Sequence, residues 1–536
     1  MPRNVLFIMA DQLRWDYLGC AGHPHIKTPN IDRLATKGVR FDQCYVQSPV
    51  CGPSRMSTYT GRYVRSHGAT WNNTPLRVGE WTLGEHLENF GARAVLCGKT
   101  HFQADVEGMA RLGIDPDSEK GKKIAQCGFE IWDRLDGLHP LANKQPSHYQ
   151  DYLRSKGYEA DNPWHDWANS AEDENGEVLS GWLMENVNRP IRVKEEDSET
   201  AYSTTRAMEF IDQAGDQPWC LHLSYIKPHW PYMSASPYND MYGPKDVIPP
   251  VRSEAEKNAA HPIQLAYQKS RFGKVMQRDE VRERVIPAYM GLITQIDDHI
   301  GRLMDWLEQT GRDKDTMIVV TSDHGDYLGD HWQGEKELFH DASARVPLII
   351  VNPDTDADST RGTVDRRLVE AIDLAPTFVD WMGGEIKQEI LEGRSLLPLL
   401  QGRDVDWRNV CFSEYDYSWR FARTHLDVPV KDARMVMAYD GRWKYVECAG
   451  FRPMLFDLEL DPDELSDLGE DPTYEAVRLR LREEIFQWSQ QHHNRTTISD
   501  DGIAGRAGRE HRKGIYIGFW DQAEHDSVGW NDLTGN

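Results

Sequence analysis

Residues 51–61 read Cys-Gly-Pro-Ser-Arg-Met-Ser-Thr-Tyr-Thr-Gly. Cys51, Pro53 and Arg55 bring a thiol, a rigid turn and a fixed cation together in one short stretch. The thiolate is the reactive form of cysteine, and a nearby guanidinium favours it. The same arginine would hold an anionic group beside whatever nucleophile stands at position 51. Two adjacent-residue pairs, Asp11-Gln12 and Asp323-His324, offer two carboxylates, an amide oxygen and an imidazole. That donor set suits a divalent cation of intermediate hardness. Mg²⁺ prefers more water and Zn²⁺ more His or Cys, so Ca²⁺ or Mn²⁺ fits, the imidazole favouring Mn²⁺. Taken singly, each of these residues has a plainer reading. A lone cysteine before a helix is commonly a buried structural thiol, and an acidic residue at a strand end is commonly a helix cap.

The elements that must position these groups are legible as apolar runs. Val5 to Ala10, Trp219 to Tyr225, Met317 to Thr321 and Val346 to Val351 each read as a buried strand. Tyr289, Leu292, Ile296, Ile300, Leu303 and Leu307 keep one apolar face of a helix that leads into the run at 317. Strands separated by amphipathic helices predict an α/β fold, with a mostly parallel sheet covered on both faces. Ligands in such sheets bind beyond the carboxyl ends of the strands. Asp11-Gln12, His229 and Asp323-His324 all follow strand ends, so three distant regions are expected to converge there. Residues 105–200, polar and weakly periodic, read as an excursion from the sheet that walls the substrate pocket. From 409 to 460 the pattern predicts a small antiparallel sheet, followed by a helix at about 473–491. The expected units are a catalytic domain over 1–383, an α+β subdomain over 384–491 and an extended tail over 492–536.

A chain of 536 residues exceeds one typical core. Its formal net charge of −25 argues against nucleic acid and anionic membranes as partners. The eight cysteines show neither a disulfide framework nor zinc spacing. The apolar run near Met1 is too short for a signal peptide and runs straight into Asp11, so a cytoplasmic protein is expected.

The 51–61 stretch resembles the signature of the type I sulfatases of the alkaline phosphatase superfamily, in which the cysteine is oxidised to formylglycine. The resemblance implies an alkaline-phosphatase-like fold and makes Cys51 the precursor of the catalytic aldehyde. Thr-Ser-Asp-His-Gly-Asp-Tyr-Leu-Gly-Asp-His, residues 321–331, is similar to the family's metal segment, and the resemblance implies Asp11, Gln12, Asp323 and His324 as metal ligands together with the group at Cys51. Many sulfatases carry Asp-Asp where this chain has Asp11-Gln12, and Asn where it has His324. This variant is closer to phosphonate monoester hydrolases and choline sulfatases, and the former resemble the chain over nearly its whole length. Gly98-Lys99-Thr100-His101 resembles instead the sulfatase Gly-Lys-x-His segment, where monoester hydrolases typically have Tyr and Thr.

The resemblance implies Lys99 and Lys336 as binders of the ester oxygens and His229, in Lys-Pro-His-Trp-Pro, as leaving-group acid with a near-neutral pKa. It implies Asn72 as a substrate contact, with Asn73 an equally good register. The implied reaction is hydrolysis of aryl or alkyl sulfate monoesters. A hydroxyl of the hydrated aldehyde, ionised by the metal and Arg55, attacks sulfur, and His101 later deprotonates the second hydroxyl to expel sulfate. The alternative is hydrolysis of phosphonate monoesters or phosphodiesters by the same groups. His331, His340 and Asp341 are expected to be exposed loop residues without a role. Ile515, Tyr516, Ile517, Phe519, Trp520 and Trp530 are too apolar for a free tail and are expected to dock on a neighbouring subunit. A homodimer is the first expectation; the monoester hydrolases' tetramers keep a homotetramer open.

Overall fold

The computed structural model describes residues 3–137, 147–490, 498–505 and 521–527. The expected tail residues 515–520 and 530 lie outside these. Among the described residues fourteen strands are formed: β1 Asn4–Asp11, β2 Val39–Tyr45, β3 Arg93–Gly98, β4 Glu130–Arg134, β5 Ser170–Glu172, β6 Val178–Ser180, β7 Trp219–Pro228, β8 Thr316–Thr321, β9 Arg345–Val351, β10 Thr363–Glu370, β11 Cys411–Asp416, β12 Arg434–Tyr439, β13 Trp443–Cys448 and β14 Met454–Asp457. Eight make the main sheet, in the order β10-β2-β9-β8-β1-β7-β3-β4.

β1 is buried along its whole length because both faces of the sheet are covered. Its alternate residues divide two cores. Leu6, Ile8 and Ala10 join Leu221, Leu223 and Val320 under the Asp279–Thr310 helix. Val5, Phe7 and Met9 join Met317, Val319, Met56 and Tyr59 on the opposite face, under the Cys51–Thr60 helix. The apolar stripe read from Tyr289 to Leu307 is the buried face of that long helix.

The sheet is mostly parallel, as expected, with one exception: β9 runs antiparallel to both β2 and β8. The chain leaves β8 at its carboxyl end, crosses that edge through residues 322–344, and re-enters the sheet from the same side. The 105–200 region is more than an excursion, since it returns β4 to the sheet edge in parallel with β3.

The smaller sheet, β11-β12-β13-β14, is antiparallel throughout. Leu481 and Trp488 of the Glu475–Gln490 helix cover one face, Trp488 stacking on Phe412 with ring centroids 4.8 Å apart. The other face packs through Tyr415, Met435 and Met437 against Tyr45, Val50, Tyr327 and Leu338 of the larger part. It thus buttresses both the approach to Cys51 and the segment after β8.

His331, His340 and Asp341 are not exposed. The two imidazoles are buried and stacked at 3.9 Å. His331 Nδ1 lies 2.6 Å from Glu256 Oε1, and His340 Nδ1 lies 2.7 Å from the Tyr327 hydroxyl. Asp341 accepts from Tyr45 Oη at 2.7 Å and from Lys444 Nζ at 2.6 Å. Their partners come from remote segments, which is what makes burying them tolerable. Among the described residues, no helix is long and apolar enough to cross a membrane.

Candidate active site

Four neighbouring strands, β8, β1, β7 and β3, end at one edge and deliver Asp323-His324, Asp11-Gln12, His229 and Lys99 to it. The expected convergence is observed, with β3 added to it. Gly98 closes β3 at φ +115°, where a Cβ would lie 2.0 Å from the Ser224 carbonyl oxygen, so the turn into Lys99 requires glycine.

Cys51 opens a fully buried helix, Cys51–Thr60. The helix N-terminus favours an anion there. Burial pushes the Cys51 thiol up, but Lys336, Lys99 and His324, with a hydrogen bond from His101, outweigh it and hold the thiol well below its usual range. Burial pushes every other cysteine up. Cys51 alone is set apart as a reactive thiol. Gly52 N donates to Asn72 Oδ1 at 2.7 Å, and a Cβ on Gly52 would meet that oxygen at 2.8 Å. Asn72 therefore sits against the turn that opens at Cys51, whereas Asn73 is exposed.

Ligand atoms of Asp11, Cys51, Asp323 and His324, all buried, lie within 4.8 Å of one another. His324 Nδ1 donates to the Gly325 carbonyl at 2.8 Å, which leaves Nε2 facing Cys51 Sγ at 3.0 Å and Asp11 Oδ1 at 3.7 Å. Arg55, 0% exposed, bridges the carboxylates, with Nε 2.8 Å from Asp323 Oδ2 and Nη2 3.2 Å from Asp11 Oδ2. Its Nη1 donates to Ser224 Oγ at 2.8 Å and to the Lys99 carbonyl at 3.0 Å. Lys99 Nζ also pairs with Asp11. Burial would push Asp11 up, and Cys51 adds to that, but Lys99, His229 and Arg55 prevail and hold it below the usual carboxylate range. A buried pair of carboxylates, an imidazole and the Cys51 thiol gathered in this way fit a divalent cation.

Gln12 and His101 are non-glycine residues at φ 67° and φ 55°. Left-handed backbone of this kind persists only where surroundings over-determine it. Gln12 N donates to Asp323 Oδ1 at 3.1 Å, and its carbonyl accepts from Tyr289 Oη at 2.8 Å. Asp136, just after β4, accepts from Thr100 N at 2.8 Å and His101 N at 2.9 Å and so fixes the Lys99–His101 turn.

Lys336 Nζ donates to Gln12 Oε1 at 3.2 Å and to His229 Nε2 at 3.3 Å. His229 Nδ1 donates to the Trp230 carbonyl at 2.8 Å. Burial and the Lys336 ammonium, with Lys99, hold His229 down at about 4. This corrects the expected near-neutral pKa. The imidazole of the free site is neutral, with its Nε2 lone pair on Lys336. Lys227, another buried cation, donates to the Pro231 carbonyl at 2.6 Å and to Asn169 Oδ1 at 2.8 Å, 3.5 Å from Glu199 Oε1. The 105–200 region thereby braces the His229 turn.

All eleven expected site residues lie on or beside this edge. Ser224, Asp136, Asp326 and Lys227 were missed. Only Asp326, three residues beyond Asp323 in the same segment, carried a sequence signal.

The family model described as "Sulfatase" matches residues 3–115 and 138–384, and "N-sulphoglucosamine sulphohydrolase, C-terminal" matches residues 329–491. The chain is 31% identical over 525 residues to the multifunctional alkaline phosphatase superfamily protein PehA of Trinickia caryophylli, covering 92% of this chain and 96% of that one. It is 29% identical to an arylsulfatase of Clostridium perfringens, covering 91% and 94% respectively. A phosphonate monoester hydrolase from Silicibacter pomeroyi superposes with a TM-score of 0.80 at 31% identity, covering 93% of this chain and 98% of that one. With the family model matching more than half of its length, the chain belongs to the sulfatase family of the alkaline phosphatase superfamily and is a sulfuric ester hydrolase.

Proposed function

We propose that the protein hydrolyses sulfate monoesters through formylglycine at position 51 and one divalent cation, Mn²⁺ or Ca²⁺, held by Asp11, Gln12, Asp323 and His324. The observation that carries this reading is a thiol held low at a helix N-terminus, beside a buried donor cluster and the Lys99–His101 pair. Formylglycine would supply a hydrated aldehyde as nucleophile, and the cation positive charge to ionise it. Arg55 keeps Asp11 and Asp323 in place and adds charge beside position 51. Lys99 and Lys336 neutralise the ester's non-bridging oxygens as charge develops. His101, which helps to hold the Cys51 thiol low, would take a proton during product release.

His229 acts as the acid, with Lys336 beside it. An anionic ester beside them raises the imidazole from its resting value of about 4. The proton taken up at Nε2 displaces the Lys336 contact and passes to the leaving oxygen, which departs as the alcohol, while Lys336 stays charged on the ester oxygens. A cavity of about 990 Å³ lined in part by Trp182, Trp230, Tyr232 and Phe272 lies beside this part of the chain, its lining including Trp230 and Glu335, chain neighbours of His229 and Lys336. An aromatic-walled cavity of this kind suits an aryl leaving group.

His229→Ala should slow esters of poor leaving groups by about 10²–10⁴-fold and activated aryl esters far less. A plot of log kcat/KM against leaving-group pKa should therefore steepen. A parallel drop would make His229 an oxyanion binder and Lys336 the acid.

Phosphonate monoesters and phosphodiesters are the second reading, favoured by the likeness to the Silicibacter pomeroyi hydrolase. These substrates share a singly charged tetrahedral centre with sulfate esters. Comparing kcat/KM for an aryl sulfate, a phosphonate monoester and a phosphodiester tests the assignment. Sulfate is expected to lead, and a phosphonate or diester lead of tenfold or more reverses the order of the two readings.

A cytoplasmic setting is part of the proposal, supported by eight cysteines that are all free. So is a homo-oligomer, a dimer or a tetramer, bridged by residues 492–536. Light scattering should show the full chain as an oligomer and a chain ending near residue 495 as a smaller species. An unchanged mass would refute the bridging role.

A further inference from the structure

Gln12 stands where a third carboxylate, after Asp11 and Asp323, would give the cation more negative charge, and the structure puts a carboxylate immediately behind it. Asp326 is buried. Its Oδ2 accepts from Gln12 Nε2 and, at 2.7 Å, from Tyr232 Oη. Its Oδ1 accepts from Leu328 N at 3.0 Å. Tyr232 Oη also accepts from Gln12 Nε2 at 3.2 Å, closing a triangle around the amide. On the other side, Gln12 Oε1 accepts from Lys336 Nζ at 3.2 Å. Only one amide orientation satisfies these partners, since the flipped one would set N–H against an ammonium and an oxygen against a carboxylate.

We infer that Asp326 is a positioning residue that turns the Gln12 side-chain oxygen toward the cation and polarises it. This rests on the reading of Gln12 as a metal ligand. Every contact made by the two Asp326 oxygens is with a donor, so an amide at 326 must present an N–H to a donor somewhere. If the introduced amide oxygen stays on Leu328 N, its NH₂ faces Gln12 and drives the glutamine amide to flip. A flipped Gln12 offers the cation hydrogens in place of a lone pair. Groups that orient a ligand in this way are typically worth about 10–100-fold in metal affinity.

The test is titration of metal-stripped protein with Mn²⁺, read by calorimetry and by bound-metal analysis, in Asp326→Asn and in the charge-inverted pair Gln12→Glu/Asp326→Asn. The pair conserves net charge and shape, and the amide introduced at position 326 then donates to the carboxylate introduced at position 12. Asp326→Asn should lose at least about tenfold in Mn²⁺ affinity, and the pair, with a carboxylate at position 12, should return at least to within threefold of wild type. Wild-type affinity in folded Asp326→Asn overturns the inference, and so does a loss that the folded pair does not recover. If Asp326→Asn does not fold, the pair alone decides by the same threefold and tenfold limits. Wild-type protein that takes up no Mn²⁺ or Ca²⁺ overturns the metal reading itself, and this inference with it.

Discussion

Cys51→Ala should leave a folded protein that binds its cation and turns over sulfate esters slower by on the order of 10⁴–10⁶-fold, the scale on which removing a covalent nucleophile acts. The substitution removes one small buried group at a helix start whose neighbours are held independently, Gly52 by Asn72 and Arg55 by two carboxylates. The stronger form of the prediction concerns wild-type protein. Activity should rise in proportion to the fraction of chains in which mass spectrometry finds the Cys51 thiol lost, with no activity at zero conversion. The unconverted thiol is well activated here, being held low by Lys336, Lys99 and His324. A thiolate would nonetheless need water to attack a hindered, anionic sulfur centre in a second step, which a hydrated aldehyde avoids. Full activity in material with unmodified Cys51 would sink the formylglycine mechanism.

The four middle strands, β9, β8, β1 and β7, announced themselves; β2 and β3 beside them and the edge strands β10 and β4 did not, and for the edges the reason is physical. β1 and β8 are buried on both faces and read as unbroken apolar runs. β10, with exposed Thr363, Val364 and Arg366, and β4, with exposed Glu130, lie at the sheet's two edges and carry no such run. The direction of β9 was illegible for another reason: a buried apolar strand reads alike in either direction. At the site, the residues that the fold gathers at the strand ends around Cys51 were legible through their types and motifs. Asp136 and Lys227 were not, because the partners that give them a task, the Thr100–His101 backbone for one and Asn169 and Glu199 for the other, are far away in sequence. His331 and His340 were misread because partners such as Glu256 are far away in sequence. Burial of a polar side chain is decided by partners that only the fold supplies.

Asp323→Ala should reduce cation affinity by more than about 100-fold, beyond what losing a group that merely orients a ligand costs. Asp323 has two tasks at once. Its Oδ2 pairs with Arg55 Nε at 2.8 Å, and its Oδ1 accepts from Gln12 N at 3.1 Å, holding the left-handed backbone of Gln12. Removing it takes a carboxylate from the cation, frees Gln12 from its left-handed conformation, and leaves a wholly buried guanidinium with Asp11 as its one remaining carboxylate among the described residues. Breaking a buried pair in this way costs about 3–5 kcal/mol, so the metal-free variant should also unfold at lower denaturant concentration. These two losses separate the roles. In wild-type protein stripped of metal, Arg55 and Lys99 still neutralise Asp11, so stripping alone should lower stability less than the substitution does. Elemental analysis and denaturant unfolding of both proteins measure this. Wild-type metal stoichiometry in Asp323→Ala would remove Asp323 from the ligand set, and unchanged unfolding would show that Arg55 does not depend on it.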